Sequence, residues 1–194
     1  MKKFAITFVV AALLFGSVGL RAQAPQQQVS IAHRIASGGV STSYANTGGS
    51  GDRQSIITIT QGASGVIGGA FPPVAWINGI TNDQTDYWSN QTLDGTNTFL
   101  IFDFGSGHSP IINEIKYYQE TSGGQGTWKF QGSPDASTWT DLGTTFTLGG
   151  VTTQTITAPS ANTTGYRYYK LLGMSGSCNN GPYVFEIEFK IASY

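Results

Sequence analysis

From residue 55 to the C-terminus, turn sequences divide the chain into short apolar runs, and this pattern limits the possible folds more than any other feature. In the first run β-branched residues alternate with polar ones, which is typical of a strand with one buried face. Turn sequences such as LDGT at 93–96 and SCNNGP at 177–182 separate later runs. Seven strands are predicted, at residues 55–60, 99–104, 111–118, 127–132, 152–157, 166–172 and 184–191.

Composition favours the same fold class. The chain has 26 glycines, each of which costs a helix about 1 kcal/mol, and only 11% charged residues against a usual value of roughly 25%. Eleven Phe, nine Tyr and four Trp provide enough apolar surface for a core. The sequence therefore predicts an all-β protein, an antiparallel β-sandwich of the jelly-roll-like kind, with no convincing helix.

The N-terminus has the features of an export signal. A basic start, with Lys2 and Lys3, precedes an apolar run over 4–20 and small residues near Ala22. We predict a signal peptide over 1–22 with cleavage after Ala22, and bacterial-type export to the periplasm, the cell surface or the medium. The alternative is a retained membrane anchor, because the apolar run approaches the lower length limit for a membrane span.

Two further regions follow the signal. Residues 23–52 are rich in Gln, Gly, Ser and Thr and show no sustained apolar period, which predicts a linker or loosely attached arm. The strand pattern then predicts a single domain over 53–194.

Charge narrows the choice of partners. The formal net charge is −1, and removal of residues 1–22 leaves seven basic and eleven acidic residues. Such a domain lacks the clustered Lys and Arg that neutralise phosphates, so neither nucleic acid nor, after signal cleavage, a membrane is an expected partner. Neutral ligands and proteins remain, and we expect a glycan or a cell-surface protein.

Six short motifs occur in an order known from one family: NGITNDQTDYWS (78–89), FLIFDFG (99–105), INEIKYYQ (112–119), WKFQGSPDASTW (128–139), YRYYKL (166–171) and FEIEFKI (185–191). In this order they resemble the discoidin, or coagulation-factor C-type, domain. That domain is similar to galactose-binding-like carbohydrate modules and to modules of phage-tail and bacterial surface proteins. The resemblance implies a galactose-binding-like sandwich.

Several framework roles follow. The Asp103 carboxylate is expected to accept turn N–H groups, and Arg167 is expected to be structural. Trp88 and Trp139 match aromatic positions that return to the core. Ala136 stands where the family usually has glycine, so Ser137 or its neighbour is expected to absorb the bend.

The resemblance also implies a structural Ca²⁺ site, formed by the loop before the Thr-x-Trp element together with a Glu at the start of the last strand. Calcium prefers six to eight oxygen ligands, and residues 78–86 are dense in such oxygens. The departures are an Asn in place of the usual Asp, a longer loop and an extra residue before the Trp. The matching ligands are Asn78, Asp83 or Asn82, Thr85 and Glu186, with a carbonyl from Phe185. A turn-rich loop held by its own hydrogen bonds is the alternative.

Catalytic signals are weak. His33 and His108 are the only imidazoles, and both are expected at the surface. Glu186 and Glu188 share a strand face, but nothing in the sequence indicates a cleft beside them. No nucleophile elbow, phosphate-binding loop or zinc spacing is present, and Cys178 is expected to be buried and inert. We predict that the protein is not an enzyme.

A neutral ligand would need aromatic faces beside planar amides on a loop-bearing end of the sandwich. The loop residues of that kind are Trp76, Tyr87, Asn90, Asn179, Asn180 and Tyr183. The leading prediction is an exported, non-catalytic module that recognises a glycan or surface partner through these loops. The alternative is a structural or adhesive component of the cell envelope, or of an extracellular appendage, that binds no small molecule.

The export prediction is tested by N-terminal sequencing of the protein recovered outside the cytoplasm. We expect a chain beginning at Gln23, because the apolar run ends in small residues just before it. Recovery of membrane-embedded protein still beginning at Met1 would contradict cleavage.

Overall fold

The computed structural model describes residues 41–62, 66–69, 72–83, 86–121, 123–178 and 183–194. The predicted signal peptide and His33 lie outside these ranges. The described residues form two short 3₁₀ helices, at Pro73–Ile77 and Ala158–Ala161, and thirteen strands. The strands are β1 (Thr58–Gln61), β2 (Ile67–Gly69), β3 (Asp86–Trp88), β4 (Gln91–Thr92), β5 (Phe99–Asp103), β6 (Ile111–Gln119), β7 (Gly124–Ser133), β8 (Thr140–Asp141), β9 (Phe146–Gly149), β10 (Thr153–Ile156), β11 (Tyr168–Ser175), β12 (Ser177–Cys178) and β13 (Tyr183–Ser193).

These strands form two main antiparallel sheets. One sheet has the order β1-β5-β11-β7-β8, with β9 also paired to β7, and is called the six-stranded sheet. The other, the five-stranded sheet, has the order β10-β6-β13-β3-β2, and β12 pairs separately with β4. The predicted all-β antiparallel sandwich is confirmed.

The seven predicted strands all occur, with ends shifted by up to three residues, and six further short strands (β2, β3, β4, β8, β9 and β12) were not predicted. The first begins at Thr58 and not at Ser55, because the chain turns at 53–57. There the N–H groups of Ile56 and Ile57 both donate to the Arg53 carbonyl, each over 3.0 Å. The β-branched run at 55–60 therefore begins in a turn, and only its second half forms a strand.

Aromatic rings join the two sheets in the core. Trp88 of the five-stranded sheet packs on Trp128 of the six-stranded sheet, with ring centroids 4.4 Å apart. Phe102 and Phe189 make a second contact between the sheets at 5.1 Å. All four rings are buried, so the prediction that Trp88 belongs to the core is confirmed.

A chain of hydrogen bonds satisfies polar groups within this core. Trp88 Nε1–H donates to Tyr117 Oη over 2.8 Å, and the Tyr117 hydroxyl donates to Gln125 Oε1 over 2.8 Å. Gln125 Nε2–H continues to Gln119 Oε1 over 2.9 Å. Because buried polar groups are costly when unpaired, this network fixes the relative positions of β3, β6 and β7.

The segment 41–52 corrects the predicted domain boundary. Ser43 and Ile191 exchange two backbone hydrogen bonds of 3.0 Å, and Phe189 N–H donates to the Gly49 carbonyl over 2.8 Å. The Lys116 ammonium lies 4.4 Å from the centroid of the Tyr44 ring. Residues 41–52 therefore pack on the five-stranded sheet, and the interpretation of this part as a loose arm is wrong. Residues 23–40 lie outside the described ranges.

The turn after β7 is held by one carboxylate. Asp135 Oδ1 accepts the N–H groups of Ser137 at 2.9 Å and Thr138 at 2.8 Å, and these bonds lower the pKa of Asp135. Ala136, which lies between Asp135 and Ser137, has a φ of 59°. Ala136 itself therefore adopts the left-handed conformation, so the bend is absorbed at the neighbour of Ser137 and not at Ser137.

Trp139, at the end of this turn, is not part of the core. The ring is partly exposed, and the Lys170 ammonium lies 3.9 Å from its centroid on the outer face of the six-stranded sheet. The prediction that Trp139 is a core residue is wrong, because the turn ends outside the sandwich. The expected structural role of Arg167 holds, since its guanidinium donates to both Asp103 oxygens at 2.7 and 2.8 Å. Asp103 Oδ1 also accepts the N–H of Gly105 over 2.8 Å, as expected.

The left-handed turn residue gives the first stability prediction. Ala136→Gly should raise the free energy of unfolding by about 0.5–1 kcal/mol, because relief of the Cβ clash exceeds the entropy cost of glycine. Urea melts would measure the change. The control is Ala161→Gly, at an exposed helical position, which should lower stability. A loss at both positions would contradict strain at Ala136.

The two tryptophans on either side of the six-stranded sheet should respond differently to truncation. Trp128→Ala should cost about 3–5 kcal/mol, since the ring is fully buried, whereas Trp139→Ala should cost no more than about 1 kcal/mol. Denaturant melts of both variants provide the comparison. Equal losses would return Trp139 to the core.

Candidate functional site

Strand pairing brings two of the predicted ligand-binding residues together. Tyr183 in β13 lies directly opposite Tyr87 in β3. Trp88 points into the core, so the neighbouring Tyr87 faces outward, and Tyr183 shares that face. The ring centroids are 5.4 Å apart with an interplanar angle of 82°. We call this pair the tyrosine corner site; the name refers to these two rings and not to the tyrosine corner motif of Greek-key sandwiches.

A glycine makes room for one of the rings. Gly68 in β2 lies opposite Tyr87 on its other side. A Cβ at Gly68 would lie 2.4 Å from Tyr87 Cε2, closer than any side chain tolerates. The Tyr87 ring therefore lies over β2, and the Tyr183 ring stands nearly at right angles to it. Both rings are partly exposed.

Polar groups flank the tyrosine corner site. Tyr183 N–H lies 3.4 Å from Glu120 Oε2, and the N–H of Glu120 donates to the Tyr183 carbonyl over 3.0 Å. Asn90 is exposed two residues beyond the end of β3. The site thus combines two aromatic faces with a carboxylate, and an exposed amide follows β3 in the sequence; sites for polyhydroxylated ligands use these residue types.

Two more of the predicted ligand-binding residues precede Tyr183 in the sequence. Asn179 and Asn180 lie outside the described residues, between β12 and β13. Cys178, the last residue before them, is buried as predicted, and its thiol lies 3.4 Å from the Ser89 carbonyl. Burial raises the pKa of this thiol, which makes it a weak nucleophile.

Trp76 corrects the predicted ligand-binding set. It lies in the first 3₁₀ helix, is fully buried, and packs edge-on against Trp88 with centroids 4.8 Å apart. It belongs to the core and has no face for a ligand. Its neighbours Ala75 and Ile77 are also buried, so the continuous apolar sequence PVAWI was a signal for burial.

The predicted calcium ligands are partly brought together. Glu186 Oε2 accepts the N–H of Gly79 over 3.1 Å, so the last strand does meet the 78–83 loop. Within the loop, Asn78 Nδ2–H donates to Asp83 Oδ2 over 3.0 Å, and Asn78 Oδ1 accepts the Ile80 N–H over 2.8 Å. Thr85 lies outside the described residues.

The donor set does not fit calcium at Glu186. Its Oε1 pairs with the guanidinium of Arg53, and both side chains are buried. Burial raises the pKa of Glu186, and the Arg53 charge and the Gly79 N–H oppose that rise. Within the described ranges, no group of three or more His, Cys, Asp or Glu side chains that could hold a metal ion is present. Asp83 Oδ1 is buried without a hydrogen-bond partner.

The sequence analysis missed Arg53. A single arginine at the start of the predicted domain carries no motif, and nothing local marks it as buried. Arg53 and Glu186 are 133 residues apart in the sequence, and only the fold brings them together as a pair.

The acid and imidazole candidates have structural partners. Glu188 Oε2 accepts the Tyr118 hydroxyl over 2.9 Å, and His108 is exposed as predicted, with its ring 4.8 Å from that of Tyr194.

Among the residues that the structure covers, no helix is both long enough and apolar enough to cross a membrane.

Comparison with known proteins gives matches among solved structures. No family model matches the chain, and no curated protein does. The chain is similar to the C-terminal domain of a chitobiase from Bacteroides fragilis, with 19% identity, a TM-score of 0.48, and coverage of 73% of this chain and 97% of that one.

Two carbohydrate-binding modules are also similar. The family 32 module of Clostridium perfringens NanJ, in complex with galactose, has 17% identity and a TM-score of 0.48, over 73% of this chain and 98% of that one. The family 62 module of Clostridium thermocellum Xyl5A has 25% identity and a TM-score of 0.46, over 70% and 96%.

Proposed function

We propose that this protein is an exported, non-catalytic module that binds a neutral glycan at the tyrosine corner site. The observation that carries the proposal is the perpendicular pair of outward-facing rings, Tyr87 and Tyr183, at 5.4 Å. The C–H face of a sugar ring packs on an aromatic face, while its hydroxyls need amide or carboxylate partners. The site supplies both.

The neutral character of the ligand follows from charge. Glu120 lies at the site through its contact with the Tyr183 backbone, and acidic residues outnumber basic ones beyond residue 22. A sialic or uronic acid would bring a second carboxylate close to this one, which costs binding energy. Neutral hexoses and N-acetylhexosamines avoid that repulsion.

Export is the second part of the proposal. It is supported by the basic start of the sequence and the apolar run that follows it. A protein delivered outside the cytoplasm would meet surface glycans or a glycan-bearing cell-surface protein.

A structural or adhesive role without a small ligand remains the second candidate. It requires no exposed aromatic pair, which is why the tyrosine corner site favours glycan binding. The same binding experiment separates the two functions.

The test is a glycan-array screen with the purified protein, followed by titration of the best ligand. The array should include galactose- and N-acetylgalactosamine-terminated glycans, since similar modules have been crystallised with galactose and with GalNAc-β-1,3-galactose. We expect Tyr87→Ala and Tyr183→Ala each to weaken binding about tenfold or more, and Tyr87→Phe to retain most of it, because the ring face makes the contact.

The matched control is Tyr194→Ala. Tyr194 is 41% exposed and follows the far end of β13, the strand that begins at Tyr183. This variant should bind as the unmodified protein does. Absence of binding to any glycan would favour the structural role, and full binding by both alanine variants would move the site elsewhere.

A further inference from the structure

The buried Arg53 guanidinium donates to four oxygen atoms, and its Cζ lies 5.6 Å from the centroid of the Phe189 ring. Its Nε–H donates to the Gly51 carbonyl over 3.0 Å, and Nη1–H donates to the Gly49 carbonyl over 2.9 Å. Nη2 donates to both the Ile187 carbonyl and Glu186 Oε1. Only 1% of the Arg53 surface is exposed.

This oxygen set has the chemistry of a hard-cation site. Backbone carbonyls and a carboxylate are ligands that calcium prefers. Here they come from residues 41–52, which we call the N-terminal segment, and from β13. The cation that they surround is the guanidinium, whose planar fork presents five N–H donors in fixed directions. A second cation beside it would be repelled.

The loop side of the pocket is closed by a donor. The Gly79 N–H points at Glu186 Oε2, where a bound metal ion would need a further oxygen acceptor. Gly79 has a φ of +84°, and a Cβ there would lie 2.6 Å from the Gly51 carbonyl carbon. The loop therefore approaches the N-terminal segment as closely as backbone allows.

We propose that the Arg53 guanidinium replaces the structural metal ion that this fold family implies, and so holds the N-terminal segment, the 78–80 loop and β13 together without metal. The charge of Glu186 is balanced within the chain. Stability of the domain is then independent of divalent cations, whichever ligand the tyrosine corner site binds.

The first measurement uses the unmodified protein, purified in chelator. Its melting temperature should be the same in millimolar CaCl₂, in MgCl₂ and in EDTA at matched ionic strength. A higher melting temperature in CaCl₂ or a lower one in EDTA would overturn the proposal. Asp83, whose Oδ1 has no hydrogen-bond partner, would then be the first metal ligand to test. This measurement depends on no variant.

The second measurement vacates the pocket. Arg53→Ala leaves Glu186 buried without its cation, and we expect the melting temperature to fall by about 10 °C. Because the oxygen set remains, millimolar calcium or guanidinium chloride should restore part of this loss, whereas NaCl at matched ionic strength should not. If neither cation restores anything, or if the variant is as stable as the parent, the oxygen set is not a cation site and the proposal fails.

Two variants act as controls. Arg167→Ala breaks the partly exposed salt bridge between Arg167 and Asp103. Its melting temperature should fall less than that of Arg53→Ala and should not respond to cations. Arg53→Lys keeps the charge but not the fork, so its loss should lie between those of the parent and Arg53→Ala. If Arg53→Ala aggregates, its refolding yield with and without each cation takes the place of the melting temperature.

Discussion

The contact between Trp88 and Trp128 fixes the sandwich. It joins β3 of one sheet to β7 of the other at 4.4 Å, and Trp76 packs edge-on against Trp88 from the 3₁₀ helix. Large aromatic side chains dominate core energetics, and their preferred ring geometries restrict how two sheets can lie against each other. The hydrogen bond from Trp88 to Tyr117 extends the same constraint to β6.

Packing of aromatic rings does not by itself fix the segment that precedes β1. The buried pair of Arg53 and Glu186 joins that segment to β13, the central strand of the five-stranded sheet, although the two share no local sequence signal. Such a pair contributes less to net stability than equal apolar burial, but loss of one partner leaves an uncompensated charge. It therefore specifies which segments meet more strongly than it stabilises them.

The sequence predicts seven of the thirteen strands in the described residues, because alternation and turn residues are local properties, but it misses the short strands β2, β3, β4, β8, β9 and β12. It predicts burial of individual aromatics less well. Trp88 and Trp139 both matched family positions, yet the turn held by Asp135 leaves Trp139 outside, over Lys170. Trp76 was assigned to a loop surface, although its apolar neighbours favoured the core. The Arg53 pair depends on a contact across 133 residues, which no local pattern encodes.

The tyrosine corner site gains its geometry from the core behind it. Tyr87 and Trp88 are consecutive in β3, so the strand that places one ring outward anchors the other between Trp76 and Trp128. Gly68 then allows the Tyr87 ring to lie over β2, and cross-strand pairing places Tyr183 against it. Because the backbone beneath both rings is fixed by buried contacts, the glycan that we propose would cost the protein little conformational freedom on binding, and preorganisation of this kind raises affinity.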